Sequence, residues 1–170
     1  MGREIERKFL VAGDGWQKVC RRAWVIRQAY LAQPDSTAIR VRIVDERDAF
    51  ITIKSAPPGF VRAEFEYAIP VQDAIQLFRY RTGGVVRKRR HIVPAGVLNW
   101  EVDVFDGDHH GLILAEIELP DADASFELPD WIGREVTGDP RYYNSHLALC
   151  RIAAAGPLET AEIDAGMRAA

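Results

Sequence analysis

Eight short stretches of the chain repeat one device: charged or polar side chains two residues apart. They are Glu4, Glu6 and Lys8; Gln28 and Tyr30; Arg40 and Arg42; Thr52 and Lys54; Arg62, Glu64 and Glu66; Lys88 and Arg90; Glu101 and Asp103; and Glu116 and Glu118. On an extended strand a spacing of two puts such residues on one face. The intervening positions are mostly apolar, as in Ile39, Val41 and Ile43, or Trp100, Val102 and Val104. For a single strand this is the ordinary solvated side of an antiparallel sheet. The set is not ordinary, because most of these strands are pure in sign. Arg40/Arg42 and Lys88/Arg90 are basic, whereas Glu101/Asp103 and Glu116/Glu118 are acidic. Protein surfaces usually intersperse the signs.

The common face carries eight acids (Glu4, Glu6, Glu64, Glu66, Glu101, Asp103, Glu116, Glu118) and seven bases (Lys8, Arg40, Arg42, Lys54, Arg62, Lys88, Arg90). Carboxylates clustered without matching His or Cys favour a hard cation such as Mg²⁺ or Mn²⁺ over zinc. Clustered Arg and Lys favour phosphate oxygens, Arg as a fork and Lys as a point charge. A site with both suits metal-assisted phosphoryl chemistry. Two divalent ions would bring the face to about +3, which a triphosphate of roughly −4 nearly neutralises.

The elements that must present these residues are short strands. Candidates span 3–11, 26–33, 37–45, 49–55, 61–69, 84–93, 98–105 and 112–119, separated by turn signals at 34–36, 46–48, 57–59, 94–96 and 106–108. Short links favour antiparallel pairing. Helices are predicted over 14–25, with Asp14 as N-cap, over 71–82, with Gly83 as C-cap, and over 141–152. One face this charged cannot be dry, since each unpaired ion there would cost several kcal/mol. The expected fold is therefore α+β: a closed, eight-stranded antiparallel barrel with a polar lumen, its apolar outside covered by flanking helices.

Composition excludes other classes. The 170 residues are 48% hydrophobic and 28% charged, enough for one folded domain. A net charge of −3 argues against a broadly basic nucleic-acid binder. The one basic run, Arg87 to Arg90, is split by strand alternation. No apolar run of 18 residues suggests a membrane span, and the N-terminus is too charged for a signal peptide. Cys20 and Cys150 alone make no disulfide framework, so a cytoplasmic location is expected. His109 and His110, beside Asp106 and Asp108, read as a solvated loop rather than a metal site. The expected organisation is one domain over 1–152 and an Ala-rich tail over 153–170, with a last helical turn from Leu158.

The series resembles the CYTH family, the triphosphate tunnel metalloenzymes, of the small bacterial type. Glu4-Ile5-Glu6-Arg7-Lys8 matches its ExExK signature. Arg27 to Leu31, Arg40-Val41-Arg42, Thr52-Ile53-Lys54, Glu64-Phe65-Glu66, Lys88-Arg89-Arg90, Glu101-Val102-Asp103 and Glu116-Ile117-Glu118 follow in order. The resemblance runs from about Gly2 to about Cys150 and implies an eight-stranded tunnel that binds triphosphate with Mg²⁺ or Mn²⁺. It implies that Lys8, Arg40, Arg42, Lys54, Arg62, Lys88 and Arg90 grip phosphates. It makes Glu4, Glu6, Glu64, Glu66, Glu101, Asp103, Glu116 and Glu118 metal ligands, directly or through water. Tyr30 matches a tyrosine that pairs with the signature lysine to activate water, so Lys8 and Tyr30 become the catalytic candidates. Cross-strand proximity of the two is expected if their strands are neighbours. The segment Arg141 to Asn144 resembles a helix that borders one tunnel mouth. The expected function is metal-dependent hydrolysis of inorganic triphosphate by a monomer or homodimer, with no nucleic-acid or membrane partner. Thiamine or nucleoside triphosphatase and adenylate cyclase activity are alternatives, as is a non-catalytic polyphosphate or nucleotide binder.

Overall fold

Alternating apolar and polar residues build one antiparallel sheet. The computed structural model describes residues 2–32, 37–55, 62–121 and 123–150, with the side chains at 2–4, 32, 55, 62 and 63 outside that description. The tail over 153–170 and the turns at 34–36 and 57–59 lie outside the described residues. The strands are β1 (Gly2–Glu4), β2 (Glu6–Val11), β3 (Arg22–Ala32), β4 (Thr37–Val44), β5 (Asp48–Ser55), β6 (Arg62–Ile69), β7 (Thr82–Ala95), β8 (Leu98–Asp106), β9 (Ile113–Glu118) and β10 (Ile132–Glu135). Two short helices, α1 (Val71–Leu77) and α2 (Asn144–Leu149), accompany them.

The sheet order is β1-β6-β5-β4-β3-β7-β8-β9-β2-β10. The segments β1 and β2 are one N-terminal strand interrupted at Ile5, which leaves nine strands when they are counted together. One half of that strand pairs with β6 and the other with β9, so it stands at both ends of the order. The expected eight-stranded closed barrel is therefore corrected: the hydrogen-bond ladder is not a closed ring. The free edge of β2 is instead taken by β10, through Val11↔Ile132 and Phe9↔Glu135.

The helix predicted over 14–25 is replaced by a 3-10 turn, Gly15–Lys18, followed by β3 from Arg22. The apolar residues at helical spacing there divide: Trp16 is buried, whereas Val19 is exposed. Asp14 makes no side-chain cap. Pairing wins here, since the Arg21 N–H already donates to the Ile92 carbonyl and β3 then zips along β7. Helix α1 ends at Leu77 and tightens into a 3-10 turn, Phe78–Tyr80. Gly83 is not its cap. It has a φ of +77° at the start of β7, and a Cβ there would meet the Ala148 carbonyl oxygen at 2.2 Å. Glycine is required because α2 packs directly onto this backbone.

Three apolar clusters hold the sheet. Outside β2, β8 and β9, Phe9, Trp100, Val102 and Ile117 pack with Trp16 and Trp131. Trp100 meets Phe9, Phe126 and Trp131 edge-on at 5.5, 5.6 and 5.7 Å. The cover on this side is loop and 3-10 turn rather than the expected helix. Outside β4 and β5, Val41, Ile43 and Ala49 pack with Ala74 of α1. The third cluster lies on the other face of the sheet. It joins Val86, Phe105 and Leu114 to Tyr30, Tyr142, Leu147 and Ala148, with Leu10 and Ala38 against it.

Candidate functional site

The register sets several of these charges opposite a residue that can pair with them. Lys8 stands opposite Glu116, Arg90 opposite Asp103, Lys54 opposite Glu64 and Thr52 opposite Glu66. Like charges along one strand are thus compensated across these ladders, whereas Glu6 faces Glu118 and Glu101 faces Glu116. Two networks result. In the first, on β2, β7, β8 and β9, Lys8 Nζ donates to Glu116 Oε1 at 2.5 Å and Lys88 Nζ to Asp103 Oδ2 at 2.5 Å. Arg90 forks onto both oxygens of Asp103 at 2.7 and 2.6 Å, reaches Glu116 Oε2 at 2.9 Å and also pairs with Glu101. In the second, on β4, β5 and β6, Arg42 binds Glu66 Oε2 at 2.9 Å and Lys54 lies 3.2 Å from Glu64. Thr52 Oγ1 donates to Glu66 at 2.8 Å and accepts from Arg40 at 3.1 Å.

Both networks face one cavity of about 440 Å³. Glu6, Lys8, Tyr30, Arg40, Arg42, Lys54, Glu64, Glu66, Arg90, Glu101, Glu116 and Glu118 line it, with Ala38 and the segment 143–145. The cavity has a floor. Along the inward parity, the charged positions give way to apolar ones: Lys8 to Leu10, Glu116 to Leu114, Asp103 to Phe105, Lys88 to Val86 and Arg40 to Ala38. These apolar residues pack on α2 and close that end. The polar lumen expected from sequence therefore occupies one end of the sheet only.

Burial and charge set the protonation states. Burial disfavours the Lys8 ammonium, but Glu116 and Glu6 outweigh it and raise its pKa. Burial likewise opposes the Glu116 carboxylate, and Lys8, Arg90 and Lys88 hold it well below the usual range. Lys88 is lowered to about 8, because burial and the Arg90 charge outweigh Asp103. Burial raises the Tyr30 phenol, with Arg40, Lys54 and Lys8 pulling the other way. Glu101 is raised by burial despite Arg90.

A profile of the CYTH domain matches residues 2–143. The chain belongs to the CYTH domain family. An inorganic triphosphatase of Acetivibrio thermocellus is 44% identical over 148 residues, covering 86% of this chain and 94% of that protein. One of Nitrosomonas europaea is 42% identical over 153 residues, covering 86% of this chain and 97% of that protein. A crystal structure of an inorganic triphosphatase superposes with a TM-score of 0.64 at 38% identity, over 88% of this chain and 97% of the other. A Pyrococcus horikoshii protein shares the fold, with a TM-score of 0.58 at 22% identity, over 71% of this chain and 80% of the other.

Against the expectations for a CYTH site, the cavity gathers most of the named residues. Asp103 and Lys88 are not in its lining; they lie buried beneath it, between Arg90 and Asn144, 0% and 4% exposed. The backbones of Glu4 and Arg62 lie in β1 and β6, and their side chains lie outside the described residues. Lys8 and Tyr30 share the cavity but not a pair of neighbouring strands. The partners of β2 are β9 and β10, and those of β3 are β4 and β7. Lys8 Nζ instead reaches Glu116 and the Tyr142 carbonyl at 3.5 Å, while Gln28 Nε2 donates to the Tyr30 hydroxyl at 3.4 Å. Thr52, Asn144 and Ser145 complete the site; the sequence places Thr52 on the polar face and Asn144 in the segment at a tunnel mouth, and gives no signal for Ser145. Thr52 shares the inward parity of Lys54, which was the available signal.

The donor set suits a hard divalent cation, since the cavity presents six carboxylates and no His or Cys. Among the described residues, no three carboxylate, His or Cys groups converge as a ready-made metal cluster. Glu101, Glu116, Glu64 and Glu66 are engaged by Arg and Lys instead. His109 is buried and bonds the Leu147 carbonyl at 2.9 Å, so it anchors α2, whereas His110 is exposed. Among the described residues, no helix is long and apolar enough to cross a membrane.

Proposed function

We propose that this chain hydrolyses inorganic triphosphate with a divalent metal, Mg²⁺ or Mn²⁺. The observation that carries the reading is a cavity with one closed end whose wall sets Arg and Lys among carboxylates, two of which, Glu101 and Glu116, face each other across neighbouring strands. The inorganic triphosphatases of Acetivibrio thermocellus and Nitrosomonas europaea, similar over most of their lengths, support the same substrate. We also read the sheet as a tunnel wall, because β1 and β2 join its two ends through Ile5.

Arg40, Arg42, Lys54 and Arg90 line the cavity and would hold phosphoryl oxygens, with Arg62 placed on the same parity. Spread negative charge in the transition state is best met by such preorganised cations. Glu6, Glu64, Glu66, Glu101, Glu116 and Glu118, with Glu4, would hold the metal directly or through water. When bound, a divalent ion supplies Lewis-acid polarisation of the phosphoryl oxygens. Lys88 and Asp103 would act from behind, keeping Arg90 aimed at the cavity. Lys8, held charged by Glu116, is a cation and hydrogen-bond donor rather than a proton acceptor. Tyr30, a neutral phenol near the floor, would orient the attacking water. The domain would span 1–152, and the two free cysteines fit a cytoplasmic enzyme.

Side-by-side turnover of inorganic triphosphate, ATP and thiamine triphosphate with Mg²⁺ and with Mn²⁺ tests this. Preference for inorganic triphosphate is expected. Binding without phosphate release from any of them would make the chain a binding module instead.

A further inference from the structure

The floor of the cavity contains a carboxamide that the charge pattern does not explain. Asn144 opens α2 and lines the cavity beside Tyr143 and Ser145. Its Oδ1 lies 3.3 Å from Lys88 Nζ. An ammonium has donors and no acceptor, so this contact decides which end of the amide faces it. Oδ1 accepts from Lys88, and Nδ2 with its two hydrogens is turned away. Among the described residues, nothing accepts a hydrogen bond from Nδ2.

Lys88 is itself fixed. Asp103 holds its Nζ at 2.5 Å, Phe105 presents its ring at 5.5 Å, and Arg90 clamps Asp103 through both oxygens. A continuous chain of contacts therefore runs from Arg90 through Asp103 and Lys88 to the Asn144 amide. Resting on the triphosphatase reading above, we propose that Asn144 is a specificity-determining residue of the floor. Its Nδ2 donates to an oxygen of the terminal phosphoryl group, and Lys88 is the positioning residue that orients it. A neutral donor suits this place, because Lys8 and Lys88 already crowd the floor with positive charge and another cation would repel both.

The test compares the wild-type chain with Asn144→Asp and Asn144→Ala, by steady-state hydrolysis of inorganic triphosphate with Mg²⁺ or Mn²⁺ and by thermal unfolding. Asn144→Asp keeps an acceptor for Lys88 and replaces the donor with a negative charge. The expected result is a KM raised about 10-fold or more, since a hydrogen bond to a charged group is lost, with Tm unchanged or higher. Asn144→Ala should raise KM as well. If Asn144 served only to tether α2, Asn144→Ala would lower Tm with KM intact. That outcome, or a wild-type KM in Asn144→Asp, overturns the inference while leaving the triphosphatase reading standing. A wild-type chain inert toward triphosphate would overturn both.

Discussion

Lys8 Nζ and Glu116 Oε1 lie 2.5 Å apart, on residues that stand opposite each other across the β2–β9 ladder. Both are buried, so each keeps the other ionised. Their dependence is unequal. Glu116 is also bound by Arg90 at 2.9 Å, whereas among the described residues the second ion pair of Lys8 is the longer one to Glu6 at 3.8 Å. Removing Glu116 therefore leaves a buried ammonium with only this weaker pair, while removing Lys8 leaves Glu116 with a guanidinium.

That asymmetry predicts that Glu116→Gln destabilises the fold more than Lys8→Met. Breaking a buried pair from the dependent side typically costs about 3–5 kcal/mol. Urea unfolding of both variants measures the difference, and equal losses would contradict it. Lys8→Met should nonetheless lower kcat by about 10²–10³, the usual worth of one preorganised electrostatic group.

Tyr30 and Arg42 should separate chemistry from binding. Tyr30→Phe removes the hydroxyl bonded by Gln28 and keeps every wall charge. It should lower kcat by about 10²–10⁴ if it positions the attacking water, and leave triphosphate affinity nearly intact. Arg42→Ala deletes a cation that holds substrate before the chemistry, so KM should rise too. Full kcat for Tyr30→Phe at saturating triphosphate would remove Tyr30 from the mechanism.

The eight strands with charged or polar pairs are legible in the sequence because a period of two survives any turn geometry. The strand β10 is not. Gly133 sits inside it, just after Pro129 and Asp130, so its pairing with β2 has no local signature. The stripe of Trp16, Val19, Cys20 and Ala23 has helical spacing, yet long-range pairing of β3 with β7 decided that segment. The closed floor is readable in the same pattern. Leu10, Leu114, Phe105, Val86 and Ala38 continue the same parity as the charges, with the polarity reversed. That Lys8 and Tyr30 stand on strands that are not neighbours is not readable, since it depends on the order of strands in the sheet.

Asp103 gives a pH signature in stability. Although burial works against its charge, Arg90 and Lys88 lower its pKa. A lowered carboxylate pKa contributes stability in full above the unfolded value, near about 4, and loses it as pH falls through the folded value. Asp103→Asn should thus unfold at a lower temperature than wild type near pH 7. The gap should narrow as pH falls below about 4, where Asp103 of the unfolded chain takes up a proton before that of the folded chain. Calorimetry across that range checks the sign, and a gap that widens in acid would refute the assignment.

The metal can be tested without turnover. Glu6 and Glu118 stand directly opposite each other on β2 and β9, and Glu101 stands opposite Glu116 on β8 and β9. Like charges facing across a ladder are destabilising, and a divalent cation among these carboxylates would relieve that repulsion. Mg²⁺ or Mn²⁺ should therefore raise Tm, since a ligand at about 100 times its Kd stabilises the native state by about 2.7 kcal/mol. In Glu118→Gln one of the opposed charges is gone. Its metal-free form should be as stable as wild type or more so, its metal-induced rise in Tm should shrink, and its hydrolysis should fall. EDTA should abolish wild-type hydrolysis and return Tm to the metal-free value. A chain whose Tm ignores both ions, and whose hydrolysis of triphosphate persists in EDTA, would have these carboxylates serving only to neutralise Arg and Lys.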